Sequence, residues 1–155
     1  MLVNAERNDG VIETLSGMAA VDWLVPHYRR MMAEKGFTGV SPALLYGLCR
    51  NGRREDALLL LRLRDASAER SPVAAVLFAR HGSAATYLVG WNTEAGRKVR
   101  ANHLLLWQGM LELRQRGCGW LDLGGIDDVS TPGVASFKRG VKGQEYRLIG
   151  ECLAV

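Results

Sequence analysis

The chain has 155 residues, 48% of them hydrophobic and 23% charged, with a formal net charge of +4. This is the make-up of an ordinary globule whose length suits one domain, residues 1–155, with one buried core. The mild basic excess is compatible with RNA, phosphate-bearing ligands or an anionic surface. Cys49, Cys118 and Cys152 have neither the spacing of a metal motif nor that of a disulfide framework, so they read as reduced thiols in a cytoplasmic protein. The apolar runs are too short to span a bilayer, and the N-terminus has no basic-then-apolar export pattern, so no membrane insertion is expected.

Residues 10–15 could form a short edge strand. From Met18, the positions Val21, Leu24, Val25, Tyr28, Met31 and Met32 recur at helical spacing up to Gly36. Pro26 leaves two readings open: a helix running through it, or one that begins there with proline in its first turn. Ser41-Pro42 opens a second helix carrying Leu44, Leu45 and Leu48, and Asn51-Gly52 ends it. Arg50, Arg53 and Arg54 beside that turn should be exposed.

Three strands are expected next, at 56–64, 72–80 and 83–91. The polar loop 65–71 separates the first two, and the His81-Gly82 turn joins the last two as a hairpin. Residues 99–116 read as the strongest helix, apolar around much of its circumference through Leu104, Leu105, Trp107, Met110, Leu111 and Leu113, hence well buried. Gly117 ends it. A short strand at 119–123, a short helix at 132–139 and a final strand at 146–154 complete the chain. Antiparallel strands followed by strand–helix–strand imply a mixed α/β (α+β) architecture, a mostly antiparallel sheet flanked by helices.

Several chemistries are excluded by spacing. His27, His81 and His103 are too scattered for a metal site, and no metal is expected. There is no Gly-x-Ser-x-Gly elbow. Gly117-Cys118-Gly119 precedes a strand, the wrong context for a dinucleotide loop. The segment 94–102, ahead of the long helix, lacks the glycine spacing of a CoA pyrophosphate loop. It keeps a helix N-terminus and the cations Arg97, Lys98 and Arg100, which suit a phosphate backbone.

Four stretches carry a resemblance. They are Tyr87-Leu88-Val89-Gly90-Trp91; Leu106-Trp107-Gln108-Gly109, with Gly117 after it; Trp120-Leu121-Asp122-Leu123-Gly124-Gly125-Ile126; and Gly133-Val134-Ala135-Ser136-Phe137-Lys138-Arg139-Gly140, followed by Gly143. Over about residues 73–151 the chain resembles the second acetyltransferase-like (GNAT) domain of the Fem family. Those proteins transfer amino acids from aminoacyl-tRNA to peptidoglycan precursors. The resemblance implies a GNAT-like fold and an aminoacyltransferase that uses aminoacyl-tRNA as co-substrate, needs no cofactor and forms a peptide bond with a peptide-like amine.

It also implies roles. Lys138 would stabilise the charge that builds on the carbonyl oxygen during aminolysis, with Phe137 positioning it. Gly124 and Gly125 let a ligand approach the backbone. Asp122 is either the group that binds or deprotonates the acceptor amine or a turn carboxylate. Tyr87 and Trp91 alternate on one strand face, toward cleft or core. Arg97, Lys98, Arg100, Arg139 and Lys142 are candidates for the RNA backbone, where contacts supply affinity.

Typical Fem proteins have two such domains, and 155 residues are expected to form one. An acceptor in antibiotic assembly, carrier-bound or free, as in tRNA-dependent alanyl transfer of the pacidamycin type, therefore fits as well as a cell-wall precursor. A homodimer would supply a second domain. Two other readings stay open: an acyl-CoA-dependent N-acetyltransferase, and a non-catalytic RNA- or protein-binding domain.

Overall fold

The computed structural model describes residues 10–52, 56–66 and 71–147. The chain divides into two compact units, residues 1–124 and 125–155.

In the first unit the elements run β1 (Val11–Ser16), α1 (Gly17–Lys35), α2 (Pro42–Asn51), β2 (Leu58–Arg64), β3 (Pro72–His81), β4 (Ala84–Asn92), α3 (Glu94–Lys98), α4 (Ala101–Gln115) and β5 (Trp120–Asp122). The strands form one sheet in chain order, antiparallel from β1 to β4, with β5 parallel to β4. The expected mixed, mostly antiparallel sheet flanked by helices is present.

The sequence of β2 explains its central place. Leu58 and Leu60 pack toward α1 and α2, while Leu59, Leu61 and Leu63 pack on the other face; all five are buried. A strand covered on both faces needs a continuous apolar run in place of alternation. Arg62 and Arg64 follow, and both bind Glu13 of β1 (Nε to Oε2, 2.6 and 2.8 Å), which pins the edge strand.

α1 runs unbroken through Pro26, so the continuous reading holds. Proline inside a helix costs about 3 kcal/mol. Ala20, Val21, Leu24, Val25, Tyr28 and Met31 are buried along one stripe, and that burial outweighs the cost. Gly36 ends the helix in the left-handed region (φ 63°). α2 begins as read, with Ser41 Oγ accepting from the Leu44 amide at 3.1 Å. The loop after β2 closes through the Asp65 amide, which donates to the Ser71 carbonyl at 3.0 Å. Arg50 is exposed; Arg53 and Arg54 lie outside the described residues.

The expected helix at 99–116 differs in two ways. It begins at Ala101, after Arg100 in the left-handed region (φ 53°), and a separate turn, α3, precedes it. It is also buried on one face only. Leu104, Leu105, Leu106, Gly109 and Leu113 meet the sheet, whereas Trp107 and Leu111 are about two-fifths exposed, at 40% and 38%. Those two are four residues apart, so they share the outward stripe that the sheet cannot cover. Gly109 permits the closest approach: a Cβ there would stand 2.4 Å from the Phe78 ring. At the helix end the buried Arg80 guanidinium binds Asp56 and the Arg116 carbonyl (2.8 Å), and Arg116 binds Asp56 (3.2 Å) and Glu112 (2.5 Å). Cys118 is buried and Cys49 half-buried, both as free thiols; Cys152 lies outside the described residues.

In the second unit α5 (Pro132–Arg139) forms as expected. The Asp127 carboxylate accepts from the Val129 and Ser130 amides, both at 2.9 Å, shaping the loop before it. The expected strand at 146–154 falls almost wholly outside the described residues, and its described part, Tyr146 and Arg147, is not assigned to a strand.

Candidate active site

Two features of β4 open the sheet. Leu77 pairs with Val89 and Phe78 with Tyr87, so Leu88 is an extra residue and β4 bulges there. β5 pairs with β4 only across Ala84–Thr86. Beyond Thr86 that edge of β4 has no strand partner among the described residues, and the sheet splits into a wedge. A free strand edge offers amides and carbonyls to an extended ligand.

The bulge overturns the expectation that Tyr87 and Trp91 share a face. An inserted residue shifts the alternation by one. Tyr87 therefore joins Phe78 on the α4 face (ring centroids 6.0 Å, 71°). Trp91 stays with Val89 on the α1 face and meets Trp23 (5.6 Å) and His27 (5.1 Å) edge-on. Trp23 in turn stacks on His27 at 4.4 Å, with the Arg62 guanidinium 5.0 Å from the Trp23 ring. Trp91 is buried in this cluster.

Tyr87 lies along the wedge. A Cβ on Gly90 would come within 2.0 Å of its hydroxyl and 3.3 Å of Asn102 Nδ2, so Gly90 makes room for both. Burial pushes the Tyr87 phenol up to about 12, which keeps it protonated and able to donate at neutral pH. The Asn102 side-chain oxygen is buried without a hydrogen-bond partner in the protein. The sequence reading missed Asn102; the glycine inside a strand pattern was the available signal of a close approach.

The turn from β4 to α4 holds the expected cations. Thr93 caps α3, its Oγ1 accepting from the Gly96 amide at 3.2 Å and donating to the Val73 carbonyl at 3.1 Å. Arg97 Nη1 donates to Asn92 Oδ1 (3.3 Å), and Lys98 pairs with Glu94 (2.9 Å) on the open surface. Arg100 stands at the head of α4, whose first turn has no acidic residue and no side-chain cap. The first amides of a helix have no partner within it, so this end suits an anion. Burial, and then Arg100, hold the His103 imidazole below its usual range.

Asp122 ends β5, and its Oδ1 accepts from the Gly124 amide at 2.7 Å; Gly124 is left-handed (φ 74°). The carboxylate thus shapes the turn that the two glycines form. In the second unit Lys138 Nζ donates to the Gly125 carbonyl at 2.6 Å, and Phe137 and Lys138 are both half-buried on α5. Arg139 is held by Asp128 (Nη2 to Oδ2, 2.9 Å) and Glu145 (Nε to Oε1, 2.8 Å), and Arg139 draws the Asp128 carboxyl below the usual range. Lys142 is exposed, with φ 57°. The structure thus gathers Tyr87, Gly90 and Asn102 at the wedge, Asp122 and Gly124 at its base, and Arg97, Lys98 and Arg100 at the turn. Lys138, Gly125 and Arg139 group within the second unit. Among the described residues no three His, Cys, Asp or Glu side chains converge on a metal position, and no helix is long and apolar enough to cross a membrane.

The bulged strand, the wedge beside a parallel partner and the helix N-terminus at its mouth define an acyltransferase-type fold. Residues 4–139 match the family described as acetyltransferase (GNAT) domain, and the chain belongs to that family. Solved structures share the fold at low identity. An aminoglycoside acetyltransferase from an uncultured soil metagenomic sample, in complex with sisomicin, is 13% identical with a TM-score of 0.63, over 94% of this chain and 96% of that one. A ribosomal-protein-alanine N-acetyltransferase from Brucella melitensis biovar Abortus 2308 is 12% identical at 0.62, over 94% and 99%. A putative acetyl transferase from Pyrococcus furiosus is 11% identical at 0.64, over 94% and 100%. No curated protein matches the chain.

Proposed function

We propose that this GNAT-class transferase moves an aminoacyl group from aminoacyl-tRNA to the amine of a peptide-like acceptor. The observation that carries the reading is the Asp-Leu-Gly-Gly turn with the Phe-Lys pair on α5, in which the Lys138 ammonium lies 2.6 Å from the Gly125 carbonyl. The acceptor amine attacks the ester carbonyl once deprotonated, so no side-chain nucleophile is required. The negative charge that grows on the carbonyl oxygen is met by a cation, Lys138, which favours the transition state over the ground state. Arg97, Lys98 and Arg100 are contacts for phosphates of the donor. Arg139 and Lys142 are secondary contacts for the RNA backbone.

A second reading has its own support. Arg100 adopts the left-handed conformation that a glycine would adopt at small steric cost, so the turn ahead of α4 forms without the glycine pattern. That turn, its cations and the unpartnered Asn102 oxygen also fit the pyrophosphate and amide groups of an acyl-CoA. Such a donor would supply a thioester, and the same residues would bind and orient it.

The test is transfer of a radiolabelled amino acid from mixed charged tRNA to small peptide amines, with RNase and acetyl-CoA controls. RNase-sensitive product supports the first reading, and the Lys138→Ala variant should lose at least about 100-fold in rate. RNase-resistant acetyl transfer supports the second reading. Full rate in Lys138→Ala refutes the mechanism.

A further inference from the structure

The β3–β4 hairpin brings a histidine and a threonine into hydrogen-bond contact. His81 ends β3 and Thr86 lies on β4, diagonal neighbours on the α1–α2 face of the hairpin, with His81 Nε2 2.9 Å from Thr86 Oγ1. Thr86 is the register partner of Asp122 in the last of the three pairs joining β4 to β5. Partners in register project to one face, so Thr86 and Asp122 share a face where the pairing of β4 with β5 ends. Thr86 is half-buried and His81 exposed. The other two histidines are placed differently: His27 stacks on Trp23 and donates through Nδ1 to the Trp23 carbonyl at 2.8 Å, and His103 is half-buried in the first turn of α4.

An amine acceptor arrives as an ammonium ion and must shed a proton before it attacks, and imidazole is the side chain best suited to take one near neutrality. We propose that Thr86 receives the acceptor's ammonium group and that His81 acts through it as the proton acceptor. The ammonium donates to Thr86 Oγ1 as the hydroxyl proton passes to His81 Nε2. The freed lone pair forms the bond to the acyl carbon while the bond from that carbon to the donor's oxygen or sulfur breaks. The second nitrogen proton goes to the departing alkoxide or thiolate, and the imidazolium returns its proton to solvent. The inference rests on the reading of the protein as an acyltransferase to an amine, whichever donor it uses.

The experiment compares wild type, His81→Ala, Thr86→Val and Thr86→Ser in transfer to a small peptide amine, with melting curves for each and imidazole added to the buffer. The expected result is a loss of kcat of about 10- to 100-fold in His81→Ala with KM for the amine little changed. Imidazole should restore part of that rate, Thr86→Val should be slow and beyond rescue, and Thr86→Ser should stay active. His81 is exposed, so its variant should melt as wild type does. Wild-type kcat in His81→Ala, or a loss that imidazole leaves untouched, overturns the relay. A wild-type protein inactive with both donors overturns the transferase reading itself, and the relay with it.

Discussion

Gly109→Ala sets two known effects against each other. Alanine in a helix interior is better than glycine by about 0.5–1 kcal/mol, so on an exposed face the change would stabilise. Here a Cβ would meet the Phe78 ring at 2.4 Å, well inside contact distance, and Phe78 is fully buried between β3 and α4. Overpacking of this kind costs about 1–3 kcal/mol. The expected net loss is about 1–2 kcal/mol, or a Tm lower by about 2–8 °C for a domain of this size. Phe78→Leu alone removes ring contacts and costs about 1–2 kcal/mol. In the double variant the smaller side chain makes room for the new methyl group, so the combined loss should fall short of the sum by about 1 kcal/mol. Urea unfolding followed by tryptophan fluorescence gives all three numbers. A Gly109→Ala protein more stable than wild type, or additive behaviour in the double variant, would refute the close approach of α4 to the sheet.

Two further outcomes follow from charge and backbone. The Arg64 hydrogen bond, joined by Arg62 and opposed by burial, lowers the Glu13 pKa. A folded-state value below the unfolded one gives stability that is present above the unfolded pKa and lost as pH falls through the folded one. Wild type should therefore lose more stability than Glu13→Gln as pH drops below about 4.5, and parallel acid-unfolding curves would count against the β1–β2 ion pair. Arg100→Gly should relieve the left-handed residue and raise stability by up to about 1 kcal/mol. It should also weaken binding of a phosphate-bearing donor by about 3- to 10-fold; calorimetry and a donor titration check each half.

What could be read from the sequence follows the range of the forces involved. Ser41 with Pro42, Gly36 and the His81-Gly82 turn between two β-rich runs are local signals, and each marked its element within a residue or two. The strand at β2 was legible from its apolar start and the Leu61-Arg62-Leu63-Arg64 alternation, whereas its burial on both faces depends on the helices that cover the sheet. The departures need tertiary knowledge. Pro26 is a local penalty that six buried side chains on α1 override. Trp107 and Leu111 are exposed because one sheet covers one stripe of α4, whatever the rest of its surface is made of. The bulge at Leu88 matters most for function. Nothing in Tyr87-Leu88-Val89-Gly90-Trp91 marks an extra residue, yet that residue decides that Tyr87 faces Asn102 while Trp91 faces α1. It also means that residues chosen by alternation within β4 are right on one side of Leu88 and reversed on the other. Thr86 is a similar case: its position at the splitting point depends on its pairing with Asp122 of a distant strand, and only the assembled sheet supplies that.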